Sequence, residues 1–306
     1  MTSQSDSMTA HVTENTTLKP AINAWTVYLD DQGCSPHTVK AFKADMLLVT
    51  SYLPPDRIIG DITTIELNQF LDWMQKIRRV PCSPKSYARR ITSIKAFFNW
   101  LHQYGVLGQN PAEQVIQRSV ISPLPLVLNP DEIAATLEVA QSYRHAKKPD
   151  ARYYTLLKLL LDTGIKKSEC LGISMHHLEM EDPENLILFI RYANPTYRYK
   201  ERKISINPEW LKAYQEYLIQ YDIKDSVFPW SQRRLEYLLE DLGKEAGLEK
   251  HLSFDMCRWT CVLTDYQAGV EHNKIRQKMG ISKIQWREIG MKLARLAHGE
   301  EQSKPK

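Results

Sequence analysis

The sequence predicts a mostly α-helical protein in two domains, with a single β-hairpin in the second. Three observations predict it. Apolar residues recur at three- and four-residue steps along most of the chain, which is the spacing of one helix face. Residues 118–130, containing SVISPLPLVLNP, lack that period and hold three prolines, a composition suited to an extended linker. Two short runs, LILFIRY at 186–192 and RKISI at Arg202–Ile206, are rich in β-branched and aromatic residues, as strands are.

At 306 residues the chain is long enough for two buried cores. The expected division is a polar, Ser/Thr-rich arm at 1–17, a helical domain at 18–117, the linker at 118–130, a larger domain at 131–298 and a polar tail at 299–306. Charge is dense and nearly balanced, 40 Lys and Arg against 36 Asp and Glu. A net charge of +4 permits binding to nucleic acid through local patches without demanding it. No apolar run is long enough to span a membrane, and no charged-then-apolar leader opens the sequence, so the expected location is the cytoplasm, beside the nucleoid. Five cysteines (Cys34, Cys82, Cys170, Cys257 and Cys261) suit free thiols in a reducing compartment. Cys257 and Cys261 lie four apart on an expected helix, but no second Cys/His pair completes a metal set. They read as buried apolar residues, and neither a metal nor a cofactor is expected.

In the first domain, Leu18–Asp31 carries Ile22, Trp25, Val27 and Leu29 at helical steps. Ser35 and Pro36 are an N-cap and a first-turn proline. They start a helix with Val39, Phe42, Met46, Leu47 and Val49 inward, which Pro54 and Pro55 stop. Thr63 or Thr64 starts a third, with Leu67, Phe70, Leu71 and Met74 inward. The strongest helix is 83–104, where Tyr87, Ile91, Ile94, Phe97, Phe98 and Leu101 form an apolar stripe. Lys85, Arg89, Arg90 and Lys95, with Ser86, Thr92 and Ser93, lie mainly off it. A basic, hydroxyl-bearing face suits phosphate contact and reads equally as a solvated face.

The second domain opens on Asn129-Pro130-Asp131-Glu132, a helix start with acidic residues where the macrodipole favours them. Its organising stretch is 156–173, LLKLLLDTGIKKSECLGI. Gly164 stands where a helix C-cap is expected, and Ser168-Glu169 help start the next short helix. Lys166 and Lys167 then leave the same corner, placed either to meet a phosphate or to be solvated. The hairpin tip carries Tyr197, Arg198, Tyr199 and Lys200, and Arg202 opens its returning strand. Aromatics interleaved with cations suit a finger that probes a nucleic-acid groove. Helices follow near 208–221, 231–247, 254–268, 272–279 and 282–297, and 179–184 is an acidic stretch between the short helix and the hairpin.

In order, this domain shows TGIKKSECLGI, a hairpin ending KERKISI, FDMCRWTCVLTDYQAGV and KMGISKIQWREIGM. The series resembles the tyrosine recombinases, the phage-integrase and chromosome-dimer-resolution family, over nearly the whole chain. The resemblance implies a two-domain clamp on duplex DNA: a helical SAM-like core-binding domain followed by an α+β catalytic-type domain. It also implies phosphodiester chemistry in which a tyrosine attacks phosphorus while arginine forks and Lys and His donors hold the phosphate.

Position by position, the family's catalytic set falls on other residues here. The first arginine falls on Lys166, the hairpin lysine on Tyr197, the histidine of H-x-x-R on Asp255, the later His or Trp on Ile281, and the tyrosine on Gly290. Only the second arginine is kept, as Arg258. Glu169 is expected as the internal carboxylate partner of Lys166 and Arg258. No tyrosine lies between Tyr266 and Lys306. The resemblance thus implies a DNA-binding protein that does not cut, an accessory or architectural factor in recombination or integration. Its DNA contacts are expected from Lys85, Arg89, Arg90, Lys95, Lys166, Arg198, Lys200, Arg202 and Arg258. Two other readings stay open: an active recombinase whose nucleophile is displaced to Tyr266, Ser282 or a partner chain, and a protein-interaction scaffold that has left DNA. The last helix, 283–297, is expected to dock on a neighbouring copy or an active recombinase.

Overall fold

The computed structural model describes residues 11–80, 82–116 and 123–299, which divide between Ser122 and Pro123 into two compact units.

The first unit is four helices, α1 Leu18–Asp31, α2 Pro36–Thr50, α3 Thr64–Lys76 and α4 Pro84–Gln103, with one turn of 3₁₀ helix at Ile59–Asp61. Local chemistry starts them where the sequence places the starts. The Ser35 and Ser83 side chains accept from the backbone N–H three residues on, each followed by a proline. Thr63 and Glu66 form a reciprocal capping box. The apolar stripes meet in one aromatic core, where Trp25 stacks on Phe42 and meets Phe97 edge-on. Leu47, expected inward, is 40% exposed, because it sits one residue, and so about 100°, past the buried Met46. Ser93 is likewise not on an outer face; it is buried and donates to Asp45.

Of the polar arm, residues 1–10 lie outside the described residues. Residues 11–17 pack on the first unit instead of standing off it. Val12 is buried, and the carbonyls of Glu14 and Thr16 accept from the N–H groups of Gly60 and Ile59. A Cβ at Gly60 would lie 2.9 Å from the Glu14 carbonyl oxygen, so the glycine makes that approach possible. Backbone pairing and one apolar anchor decide the placement of a segment whose composition is polar.

The linker also differs from expectation. Residues 117–122 lie outside the described residues, but 123–130 belong to the second unit. Leu124 and Leu128 are buried there, the Leu128 N–H donates to the Thr260 hydroxyl, and the Val127 carbonyl accepts from Lys250. Alternating leucines among the prolines give this extended segment a face to bury.

The second unit continues with α5 Pro130–Arg144, α6 Arg152–Thr163 and the short α7 Lys167–Leu171. Strands β1 Leu178–Glu179, β2 Leu186–Ile190 and β3 Arg202–Ile206 form an antiparallel sheet in that order. β1 was not legible as a strand: two residues carry no alternation to read. Leu186 pairs with Ile206 and Ile190 with Arg202, and Leu186, Leu188, Ile190, Ile204 and Ile206 turn one face to the core. The hairpin tip is ordered by a 3₁₀ helix at Pro195–Lys200. Helices α8 Glu209–Tyr221, α9 Gln232–Glu245, α10 Phe254–Gln267, α11 His272–Met279 and α12 Lys283–Ala297 complete the unit. α6, most of whose residues are buried, lies at the centre of the main core. α12 covers a smaller cluster of Val262, Leu263, Ile275, Met279 and Leu293. Cys257 and Cys261 are buried, and burial pushes their thiols up to about 12 and about 11.

Removing the Thr63 cap tests whether local signals start the helices of the first unit. Thr63→Ala is expected to cost about 1 kcal/mol in chemical denaturation. A variant as stable as the parent would mean that packing alone sets the start of α3.

Candidate functional site

Two helices of the second unit end close together, and each end is a glycine in the left-handed region. Gly164 (φ 58°) closes α6, and Gly280 (φ 59°) closes α11. Helix C-termini expose unpaired carbonyls and the negative end of the helix dipole. Arg258, on the buried side of α10, serves both. Its guanidinium donates to the Gly164 carbonyl and, at 2.7 Å, to the Met279 carbonyl. Burial pushes this arginine below its ordinary pKa, with the field of Glu169 opposing that shift.

The second clamp is Glu169. Its carboxylate accepts from Arg202 twice, at 3.0 and 2.9 Å, from the Lys166 N–H at 2.8 Å, and from the Tyr192 hydroxyl. Arg202 in turn donates to the Lys278 carbonyl at 2.7 Å, so α11 is capped by one arginine from β3 and another from α10. A Cβ on Gly280 would lie 2.6 Å from the Arg202 guanidinium, which leaves glycine as the residue that fits. Burial raises the pKa of Glu169, but the Arg202 fork, the Lys166 N–H and the Tyr192 hydroxyl outweigh it and hold the carboxyl at about 2.

This geometry corrects two expectations. Glu169 does pair with Lys166, through the backbone N–H and an ion pair at 3.9 Å, but its chief partner is Arg202, and its link to Arg258 is through charge rather than a hydrogen bond. Arg202, expected on DNA, has a side chain only 8% exposed, with its donors used inside the fold. Nothing in the strand pattern RKISI marks its first residue as buried, because the partner lies 33 residues earlier.

Lys166, Lys167, Asp255 and Arg258 come together along a pocket of about 630 Å³, joined by His251 and Arg233. Lys167 pairs with Glu236 at 2.8 Å. Lys166 is half-buried; burial lowers its pKa, Glu169 opposes this, and the charges of Arg258, Arg202 and Lys200 lower it further. A cation crowded by cations is a place that a phosphate would relieve. Asp255 is exposed in the first turn of α10 and puts a negative charge on the same pocket. His251 and Arg233 were missed in the sequence because neither is in a motif; only the tertiary fold brings them here.

The remaining second-domain positions lie apart from this pocket. Tyr197 and Arg198 are exposed on the hairpin tip, and the Lys200 ammonium sits 4.5 Å from the Tyr197 ring centroid and 5.1 Å from that of Tyr199. Ile281 packs against the α12 cluster. Gly290 lies on α12, where a Cβ would make ordinary contact, 3.5 Å from the Trp286 indole.

In the first unit the basic face is partly spoken for. Buried Asp45 pairs with Arg89 at 2.8 Å and stands 3.6 Å from Arg90. Burial raises Asp45, against the Ser93 hydroxyl and the two arginines that lower it. Arg89 still leaves 43% of its side chain exposed, whereas Arg90 is turned in toward Met74 and Cys82. Arg90 is therefore a structural residue more than a surface cation. Lys85 is exposed, and Lys95 is half-buried near the Glu113 carbonyl.

Residues 127–289 match the model of the phage integrase family, and residues 22–105 match that of the phage integrase N-terminal SAM-like domain. Among curated relatives, the tyrosine recombinase XerD of Listeria innocua serovar 6a is 24% identical over 273 residues, covering 85% of this chain and 89% of that protein. The tyrosine recombinase XerC of Chromobacterium violaceum is 28% identical over 273 residues, covering 86% and 87%. Among solved structures, the XerH site-specific recombinase bound to palindromic difH substrate, a post-cleavage complex, superposes with a TM-score of 0.71 at 17% identity. That match covers 96% of this chain and 92% of the other.

Glu169→Gln removes the charge facing Arg202 and is expected to cost about 3–5 kcal/mol. Because the folded pKa of Glu169 lies below its unfolded one, its contribution is complete above the unfolded pKa, 4.5, and is lost as pH falls toward about 2. Acid unfolding of the parent should therefore steepen across that window, and the Gln variant should lack that component. Equal acid profiles would contradict the assignment.

Proposed function

Because the chain belongs to the phage integrase family, we infer that it binds duplex DNA, and that it does so without cutting and rejoining it. The observation that carries this reading is the pocket holding Lys166, Asp255 and Arg258, none of whose lining residues is a tyrosine. The family chemistry needs a nucleophile, guanidinium forks and a proton donor arranged around one phosphate. Here an ammonium replaces one fork, a carboxylate stands in a donor's place, and the nucleophile position is Gly290. The kept arginine directs donors at two helix ends. Losing one donor is compensable; losing these together removes the arrangement.

Binding without cleavage keeps a use for what remains. Lys166 offers a charge to a phosphate, Arg198 and Lys200 with their tyrosines offer a finger to a groove, and Lys85, Arg89 and Lys95 offer backbone contacts from the first domain. Such a protein acts as an accessory or architectural factor in recombination or integration, alone or beside an active recombinase. A displaced nucleophile has little support: Tyr266 stacks on His272 in the α12 cluster, and the Ser282 hydroxyl serves as the N-cap of α12.

DNA affinity is expected to fall steeply with salt, by about 10³–10⁵ between roughly 50 and 200 mM if some 6–10 phosphates are contacted. Lys166→Ala should lower the salt slope by about one. Asp255→Asn should tighten binding by removing a like charge. Neither the parent nor Gly290→Tyr should form a protein–DNA adduct that survives denaturant, because the tyrosine alone does not restore the donors. Salt-independent affinity, or an adduct with the parent, would overturn the reading.

A further inference from the structure

A second, larger cleft of about 1000 Å³ lies between β3 and α11. Because the sheet order is β1-β2-β3, it runs along the sheet's edge strand. Lys200, Lys203, Lys274 and Arg276 line it, and none of the four makes an ion pair among the described residues. The two further cations on its wall are neutralised, Arg202 by Glu169 and Lys278 by Asp265. The cleft therefore holds a surplus of positive charge that the chain itself leaves unanswered.

The complementary feature is the turn between β1 and β2. Glu181, Asp182 and Glu184 are exposed there, next to exposed Glu179 at the end of β1, and none of the four makes an ion pair among the described residues. The turn is preformed. The Asp182 side chain accepts from the Glu184 N–H at 3.0 Å and from the Asn185 amide at 2.6 Å, and its carbonyl accepts from the Asn185 N–H at 3.1 Å. A preformed turn carrying three carboxylates, with a fourth on the strand before it, loses little entropy on docking. None of residues 179–184 lines the cleft of their own chain, which follows the β3 edge of the sheet while the turn joins β1 to β2.

The geometry points to a head-to-tail contact between copies, in which the acidic turn at 179–184 of one copy seats in the basic cleft between β3 and α11 of the next. Such a contact uses different patches on the two partners, so it builds rings or open rows rather than a symmetric pair. Duplex DNA is the other polyanion a basic surface meets. Glu201 on the cleft wall disfavours a continuous run of phosphates there.

The test is sedimentation of the full chain and two charge reversals, Glu181→Lys with Glu184→Lys, and Lys203→Glu with Lys274→Glu. Asp182 is left in place because it holds the turn. The parent is expected to gain mass with concentration at about 50 mM salt and to lose that gain at about 500 mM, where exposed charges are screened. Each reversed protein should stay monomeric, and an equimolar mixture of the two should associate again, since each then supplies what the other lacks. A parent that stays monomeric at low salt, or reversals that associate as the parent does, would overturn the proposal. So would a cleft reversal that loses DNA retention with its mass unchanged, which would assign the cleft to DNA. Association is read without DNA, so this outcome is independent of whether the chain binds DNA.

Discussion

Two helix ends must be held together inside the second domain, and a buried arginine holds them. Arg258 answers the unpaired carbonyls at the C-termini of α6 and α11, while Arg202, backed by Glu169, answers the preceding carbonyl of α11. A buried guanidinium is tolerable only when its donors are satisfied, and breaking such a set costs several times what an exposed pair is worth. The corner that carries Lys166 and Lys167, the hairpin that carries Tyr197 to Lys200, and the approach to α12 all hang on these contacts. Gly164 and Gly280 follow from the same constraint, since each closes a helix in a left-handed turn against a packed neighbour.

That constraint also separates structural from chemical residues in the family pattern. A position can be kept because the fold needs it, whatever chemistry surrounds it. Arg258 and Glu169 fit this description: both are buried, both have protein partners, and both stabilise the frame around a pocket.

Much of the fold was legible because its signals are local. N-caps followed by prolines, a capping box at Thr63, the apolar stripe of α4 and a glycine after α6 act within one or two helical turns. The placement of 11–17 and 123–130 was not, because each is decided by partners far along the chain, at Ile59 and Gly60 in one case and at Lys250 and Thr260 in the other. The site shows the same split. The order of motifs located Lys166, Asp255 and Arg258, which do share a pocket. Which cations remain free was not readable: Arg89, Arg90 and Arg202 sit on basic faces in the sequence, and only the fold reveals Asp45 and Glu169 behind them.

We propose that this chain binds DNA without attacking it. The most direct test is to let the protein retain fragments of its source genome at low salt, then run the complexes by electrophoresis both native and after denaturant. A shifted complex in the native lane that dissolves completely in denaturant is the predicted result. A band of protein joined covalently to DNA in the denatured lane, or no shift in the native one, would contradict it.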